Sequence, residues 1–386
     1  MQEEFEFTQD QIDIQQMTRD FIRKELPFEK IKECDEQNKV PMDVVKKAAE
    51  MGLTSITLPE EIGGGGMGQV ANSIVLEEIG YQDSGFATTI GACSLSYEPI
   101  AQFGTQEQKN YYGKYIVDGG LAAFALTEAD AGSDVANART TAVHEGHEWV
   151  INGTKCFITN APLASIFTVF AVTNPGAGTH GLSCFIVERD RPGVSVGKDE
   201  DKMGIRLSNT SEVIFENVRV PEDHLVGKEG AGFKIAMSTF DVTRPAGVGA
   251  STCGGMKSCI DKCLEYAATR VTFGQPILTN QAIQFMIADM EIRYEASRAL
   301  AYKVARLIDS GVKDSALASA SKTFSSDSFV KCTEDAIQIF GGNGYSKEYP
   351  IEIMYRNAKI SQLFEGTNQV QRMVIVKSLL KASGMM

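Results

Sequence analysis

One carboxylate in this 386-residue chain stands in company that could make it a base. Glu365 follows an apolar pair, Leu363 and Phe364, and precedes Gly366 and Thr367. A carboxylate set among apolar neighbours is disfavoured in its charged form, so its pKa rises toward neutrality. That is the tuning a general base needs near neutral pH. Gly366 allows a sharp turn, or the close approach of a ligand to the backbone. The same residues also suit a solvated glutamate ahead of a helix with a Gly-Thr cap. From this stretch alone that plainer reading stays open.

Three other segments carry residue types that could hold a ligand. Leu126-Thr-Glu-Ala-Asp-Ala-Gly-Ser-Asp134 is polar and glycine-bearing at a helix-to-strand switch. Loops at such junctions often line ligand sites, although a simple linker fits equally. Arg270-Val-Thr-Phe-Gly-Gln-Pro-Ile277 sets an arginine and an aromatic between two helices, where a plain hairpin turn would also serve. Gln338-Ile-Phe-Gly-Gly-Asn-Gly344 offers bare backbone amides after a helix, suited to a pyrophosphate or to a C-cap turn. Gly63-Gly-Gly-Gly-Met-Gly68 matches GxGxxG. A dinucleotide fingerprint must follow a strand inside a βαβ unit, and helical patterns flank this one, so it reads as a surface loop. Neither a P-loop nor a GxSxG motif is present.

The elements that must position these residues follow from periodicity. Up to about Gly120 the chain reads as helical: Thr8-Gln-Asp-Gln11 is a capping box, and helices follow to Pro27, over Pro41 to Met51, Val70 to Ile79 and Phe86 to Phe103. A second box, Thr105-Gln-Glu-Gln108, opens the next helix, and Gly119-Gly120 ends the run. Short strands then appear: Trp149 to Ile158 with an Asn152-Gly153 turn signal, Ile166 to Val172, Ser183 to Val187, Gly193 to Val196 and Val213 to Val218. From Gly232 the helical period returns over Phe233 to Phe240, Gly247 to Thr269, Gln281 to Ser310, Ser315 to Phe340 and Gln369 to Lys381. The expected class is α+β: an N-terminal helical domain (1–120), a central antiparallel β-domain (121–231) and a C-terminal helical bundle (232–386).

Bulk properties exclude some functions. A net charge of −13 argues against nucleic-acid binding, which needs a basic surface. Hydrophobic residues make up 43% of the chain, enough for a real core. Eight scattered cysteines form no CxxC pair, and four histidines form no HExxH, so no metal is expected. Cys259 and Cys263 suit buried thiols on one helix face, and several other cysteines sit in apolar runs, which suits a reducing compartment. The start, Met1 to Phe5, lacks the basic and apolar regions of a signal peptide. No run reaches a membrane span. The expected location is cytoplasmic, or the mitochondrial matrix if a targeting peptide has been removed.

Taken in order, the segments resemble the acyl-CoA dehydrogenase family. The resemblance covers essentially the whole chain: the Pro59–Gly68 loop, Leu126 to Asp134, Asn152-Gly-x-Lys-x-Phe-Ile-Thr-Asn160, Arg270-x-x-Phe-Gly, Gln338-Ile-Phe-Gly-Gly-x-Gly, and Tyr355-Arg-x-Ala-Lys followed by Glu365-Gly-Thr-x-x-x-Gln. Phe240-Asp-Val-Thr-Arg-Pro is most similar to the short- and medium-chain straight-chain branch. The resemblance implies FAD between the β-domain and the C-terminal helices, in a homotetramer whose neighbours contribute to each flavin site. It implies that Phe124, Leu126, Thr127 and Ser133 line flavin or thioester, and that Phe157 and Thr159 lie against the isoalloxazine. Arg270, Phe273, Gln281, Gln338, Gly341 and Gly342 would hold the adenine and pyrophosphate portion, some from a neighbour. Thr367 and Gln369 would also touch FAD. Ser133, Gly366, Asp241 and Arg244 are the candidates for contact with the acyl-CoA, the last two along its CoA arm.

The resemblance also supplies a mechanism. Glu365 would take the α-proton of an acyl-CoA while the β-hydrogen leaves as hydride to flavin N5, with electrons passing on to electron-transferring flavoprotein. In some branches the base stands just before the arginine of the Phe240–Arg244 helix, but here that place is Thr243, which cannot serve. The chain departs from the family pattern at Ala129-Asp130, where Pro-Gly is common, at Phe157, where Trp is frequent, at Asn357, usually Asp, and at Phe364, usually Tyr. Gly91 stands where the far end of the acyl pocket would close, which implies room for a longer or bulkier acyl group unless a neighbouring side chain fills the space. An enoyl-CoA reductase running the same chemistry backwards, or a non-catalytic assembly or DNA-associated relative, are the alternatives. The retained Glu365 and the acidic charge favour an enzyme.

Overall fold

The computed structural model describes residues 6–385. The stretch read above as lacking signal-peptide character, Met1 to Phe5, lies outside them. Six helices come first: α1 (Gln9–Glu25), α2 (Phe28–Gln37), α3 (Met42–Glu50), α4 (Gln69–Gln82), α5 (Ser84–Phe103) and α6 (Gln106–Val117). Thr8 and Thr105 each close a capping box, as their spacing predicts. Helix α2 is not expected from the pattern, because it buries only Ile31, Cys34 and Asp35 along ten residues. Helices α4 and α5 are buried on nearly every side, so they form the inner layer of this half. The glycine-rich loop before α4 is no phosphate cradle. Asp309 takes that place: its carboxylate accepts from Gln69 N at 2.6 Å and Val70 N at 3.0 Å, satisfying the first amides of α4.

A sheet follows, built from β1 (Leu121–Ala125), β2 (Thr141–Glu145), β3 (Glu148–Thr159), β4 (Ala164–Val172), β5 (Leu182–Glu188), β6 (Val194–Val196), β7 (Thr210–Pro221) and β8 (Leu225–Val226). The order is β6-β7-β3-β2-β4-β5-β8, with β1 alongside β4. Most pairs are antiparallel, but β1 runs parallel to β4, and β2 meets β4 in parallel at Thr141–Val172. Asn152-Gly153 is not a turn. It is a bulge inside β3, where the register to β7 slips between Ile151 and Gly153. A Cβ at Gly153 would lie 2.6 Å from the Cα of Thr140, so the glycine serves close backbone approach rather than chain reversal. The reversal occurs at Gly146, between β2 and β3.

Helix α7 (Gly232–Arg244) runs through a π-helical turn, Pro245–Ala250, into α8 (Ser251–Thr269). A two-stranded hairpin, β9 (Val271–Thr272) and β10 (Gln275–Pro276), leads to α9 (Gln281–Asp309) and α10 (Ser315–Phe340). The chain ends with α11 (Ile351–Ile360) and α12 (Asn368–Ala382). The short α11 is again unanticipated. All eight cysteines are buried and unbridged. Among the described residues no helix is long and apolar enough to cross a membrane, and no cluster of metal-ligating side chains occurs.

Candidate active site

Helices α4, α5 and α7, strand β1, the end of β3 and residues 363–367 enclose a cavity of about 360 Å³. Nine of the expected residues line it: Phe124, Leu126, Thr127, Ser133, Phe157, Thr159, Glu365, Gly366 and Thr367. Phe124 is wedged between Phe170 and Phe240, with ring centroids 5.0 and 5.5 Å away. The loop from Leu126 is fastened from beneath. Buried Lys155 donates to Leu126 O at 3.1 Å and to Glu128 Oε1 at 2.7 Å. Glu128 in turn accepts from Arg139 N and Thr140 N, closing the loop on itself. Phe157 is 65% exposed at the rim and holds a left-handed backbone, φ +56°. A bulky residue adopts that conformation only under constraint, and such positions cluster at functional sites.

Glu365 shares the same strain, with φ +52°, and Gly366 follows at φ +85°. Three donors hold this turn. Arg244 Nε donates to Glu365 O at 3.0 Å, Lys322 Nζ to Gly366 O at 3.0 Å, and Gln371 Nε2 to Gly366 O at 3.0 Å. The carboxylate itself points inward. Its Oε2 is buried with no hydrogen-bond partner among the described residues. Burial raises its pKa, opposed by the charges of Arg244 and Lys322. The π-helical turn supplies the facing wall: a Cβ at Gly247 would stand 3.2 Å from Glu365 Oε1. Thr243 also lines the cavity but gives its hydroxyl to Thr239 O at 3.1 Å. Thr367 caps α12, accepting from Val370 N. The capping signal is therefore real, and the glutamate before it is enclosed rather than solvated.

The remaining expected residues lie elsewhere. Arg270, Phe273 and Gln281 are exposed around the β9–β10 hairpin, and Phe273 is 104% exposed with φ +50°. Gln338, Gly341 and Gly342 are exposed at the C-terminal end of α10. The two groups adjoin through Tyr266, which donates to Phe340 O and accepts from Asn343 Nδ2. They stand far from Glu365. Lys322, beside the base, is eighteen residues before Phe340, or roughly 27 Å along a helix. Gln369 is exposed on α12. Asp241 is engaged by the Ser315 hydroxyl, and Arg244 is only 5% exposed and turned toward Glu365. Neither lines the cavity.

Three family models match in sequence order: acyl-CoA dehydrogenase N-terminal domain at residues 8–120, middle domain at 123–218 and C-terminal domain at 230–380. The chain belongs to the acyl-CoA dehydrogenase family. It is 43% identical over 376 residues to an acyl-CoA dehydrogenase of Bacillus subtilis, covering 97% of this chain and 98% of that one. It is 42% identical over 385 residues to an NADH-linked acryloyl-CoA reductase of Anaerotignum propionicum, covering 98% and 96%. The butyryl-CoA dehydrogenase structure from Megasphaera elsdenii superposes with a TM-score of 0.94 at 40% identity, covering 97% and 99%. Membership makes this chain an FAD-dependent oxidoreductase.

The residues present suit that cofactor. An exposed aromatic, Phe157, stands at the rim, and a buried carboxylate oxygen without a partner stands inside. Gly132, Gly341 and Gly342 leave open space where a Cβ would sit, so a ligand can reach their backbone. Several wall residues are not anticipated by motif. Phe240 and Gly247 share a face with Thr243, and helical spacing could have found them. Lys322 has a weaker signal, a single cation in a run of Ser, Ala and Thr. Gln371 has none.

Proposed function

We propose that the chain oxidises an acyl-CoA thioester to the trans-2-enoyl-CoA, with Glu365 as the proton acceptor. The observation that carries this reading is the buried, partnerless Oε2 of Glu365 facing a largely apolar cavity. An acyl α-C–H is a very weak acid, so the thioester carbonyl must be polarised by fixed donors, the Glu365 backbone N–H being one. The left-handed turn at Glu365 and Gly366, held by Arg244, Lys322 and Gln371, keeps carboxylate and amide in fixed relation to one substrate. FAD, when bound, supplies the hydride acceptor. Phe124, Phe240 and Leu126 exclude water, which strengthens every electrostatic contact within. Thr127, Ser133, Phe157, Thr159 and Thr367 are the residues we assign to cofactor and thioester.

The proposed domain division is 1–120, 121–231 and 232–386. Arg270, Phe273, Gln281, Gln338, Gly341 and Gly342 would serve the FAD of a neighbouring subunit in a homotetramer. Their distance from Glu365 and the exposure of Phe273 support this. Gln369 would meet FAD and Asp241 the CoA arm. For Arg244, burial favours holding the base over meeting the CoA arm. Electron-transferring flavoprotein is the proposed acceptor and the cytoplasm the proposed location. A second reading, reduction of an enoyl-CoA, is favoured by the 42% identity to the acryloyl-CoA reductase.

Anaerobic mixing with a panel of straight, branched, cyclic and aromatic acyl-CoAs tests the first reading. At least one is expected to bleach the flavin. If none does, the dehydrogenase assignment fails. NADH-driven saturation of an enoyl-CoA would establish the reverse direction.

A further inference from the structure

We propose that Lys322 is a positioning residue for the base: its ammonium pins the Gly366 carbonyl and sets a positive charge behind Glu365 that keeps the buried carboxylate ionised. The inference rests on Glu365 being the proton acceptor. Lys322 lies inside α10 and has no solvent exposure. Its Nζ donates to Gly366 O at 3.0 Å and to Asn368 Oδ1 at 2.7 Å, both neutral oxygens. Asn368 is itself fixed by donating to Ser326 Oγ and Asp327 Oδ1. A purely structural link between α10 and the Glu365 turn could use a hydroxyl or an amide. A cation buried against neutral acceptors is costly unless its charge acts on something nearby.

The charged groups facing it are Glu365 from the turn, Arg244 from α7, Asp327 on α10 and Arg372 on α12. Burial lowers the lysine pKa to about 7, while Glu365 works to raise it. Electrostatic coupling between two sites is reciprocal, so Lys322 lowers the pKa of Glu365 by the same interaction, as Arg244 does. One ammonium thus acts on both the turn that holds Glu365 and the ionisation of its side chain, alongside Arg244.

The test uses the flavin-loaded enzyme and an acyl-CoA already shown to bleach the wild-type flavin. Failure of the dehydrogenase reading therefore appears in the wild type, before any variant is made. Lys322→Gln keeps donors toward Gly366 and Asn368 but removes the charge. Its acid limb of flavin reduction is expected to move up by about one pH unit, with roughly tenfold slower reduction on that limb and acyl-CoA affinity unchanged. An unmoved limb overturns the proposal. The second readout needs no turnover. Between about pH 7 and the ordinary 10.5, an unfolded lysine binds a proton that folded Lys322 has released, so this group adds a rising contribution to wild-type stability to urea there. Lys322→Gln and Lys322→Arg both abolish that one-proton slope, the arginine because it never deprotonates. If Lys322→Gln fails to fold, Lys322→Arg decides alone: it keeps the charge, so an acid limb left at the wild-type position supports the proposal, and a limb moved up despite the retained charge overturns it.

Discussion

Arg244 grips the backbone of Glu365 while the carboxylate is left without a partner. Its Nε lies 3.0 Å from the Glu365 carbonyl oxygen, and Oε2 of the same residue is buried and unsatisfied. A base that must accept a proton cannot spend its lone pairs on a permanent donor, yet it must be aimed. Holding the main chain does both. The guanidinium also lies over Phe240, 4.9 Å from the ring centroid, so a cation–π contact helps to hold it.

Arg244→Lys should therefore fold yet misplace the turn. A lysine has neither the planar fork nor the Nε donor at that depth. Flavin reduction is expected to slow by about 10- to 100-fold, the cost of an ångström-scale misplacement, with little change in acyl-CoA binding. Stopped-flow reduction with a parallel binding titration measures both. A loss confined to affinity would return Arg244 to the CoA arm.

Glu365→Gln separates chemistry from stability. Loss of a general base costs about 10²–10⁴ in rate, with FAD and substrate still bound. Stability moves the other way. The folded pKa of Glu365 is raised by burial, so above its ordinary 4.5 the folded state holds a proton that the unfolded state has released. Stability from this group is thus full at low pH and is lost as pH rises through the folded pKa. The neutral amide removes that penalty, and the variant should be more stable than wild type at pH 8, measured by urea unfolding. At pH 4 the difference should vanish.

Gly366→Ala probes the turn itself. The added Cβ would stand 2.5 Å from Gln371 Nε2, at a backbone φ of +85°. Left-handed geometry costs a non-glycine residue about 1–2 kcal/mol, and the clash adds to it. Lower thermal stability together with slower flavin reduction is expected. Wild-type behaviour in both would mean that the turn is not under constraint.

How much of this is legible in the sequence depends on the length scale of the signal. Glu365 is legible only once the family's motifs align around it, because Leu363, Phe364, Gly366 and Thr367 alone fit a solvated helix cap equally. Its supporters are not: Arg244 lies 121 residues from Glu365 and Lys322 lies 44 from Gly366, and local patterning carries no trace of contacts closed by tertiary structure. The long helices are legible from their periodicity. Helices α2 and α11 are short and lack the glycine stop that Gly52 gives the equally short α3, and β1 is an all-apolar pentapeptide that alternation cannot mark. Asn152-Gly153 misleads, because the same residue pair serves a hairpin turn and a bulge.

Gly91 sets a prediction about substrate size. It lines the cavity, and a Cβ there would meet Leu76 Cδ1 at 3.2 Å. Gly91→Leu should fill that space and discriminate against longer or cyclic acyl groups by about 10- to 200-fold in kcat/KM, sparing the shortest. Equal effects across a chain-length series would show that the acyl group does not reach Gly91.

Phe273 tests assembly. A fully exposed phenylalanine held at positive φ on a hairpin is a poor surface residue and a good anchor for another chain. With Arg270, Gln338 and Gly341 it stands at the far end of α8 and α10 from Glu365, so one chain does not bring both halves of the expected flavin site together. Phe273→Ala should then weaken the oligomer and loosen FAD at once, while leaving the fold of each subunit intact. Sedimentation at falling protein concentration reads the first and flavin retained after gel filtration the second. Dissociation with full flavin retention would place the whole cofactor within one subunit, and the neighbour would lose its assigned part.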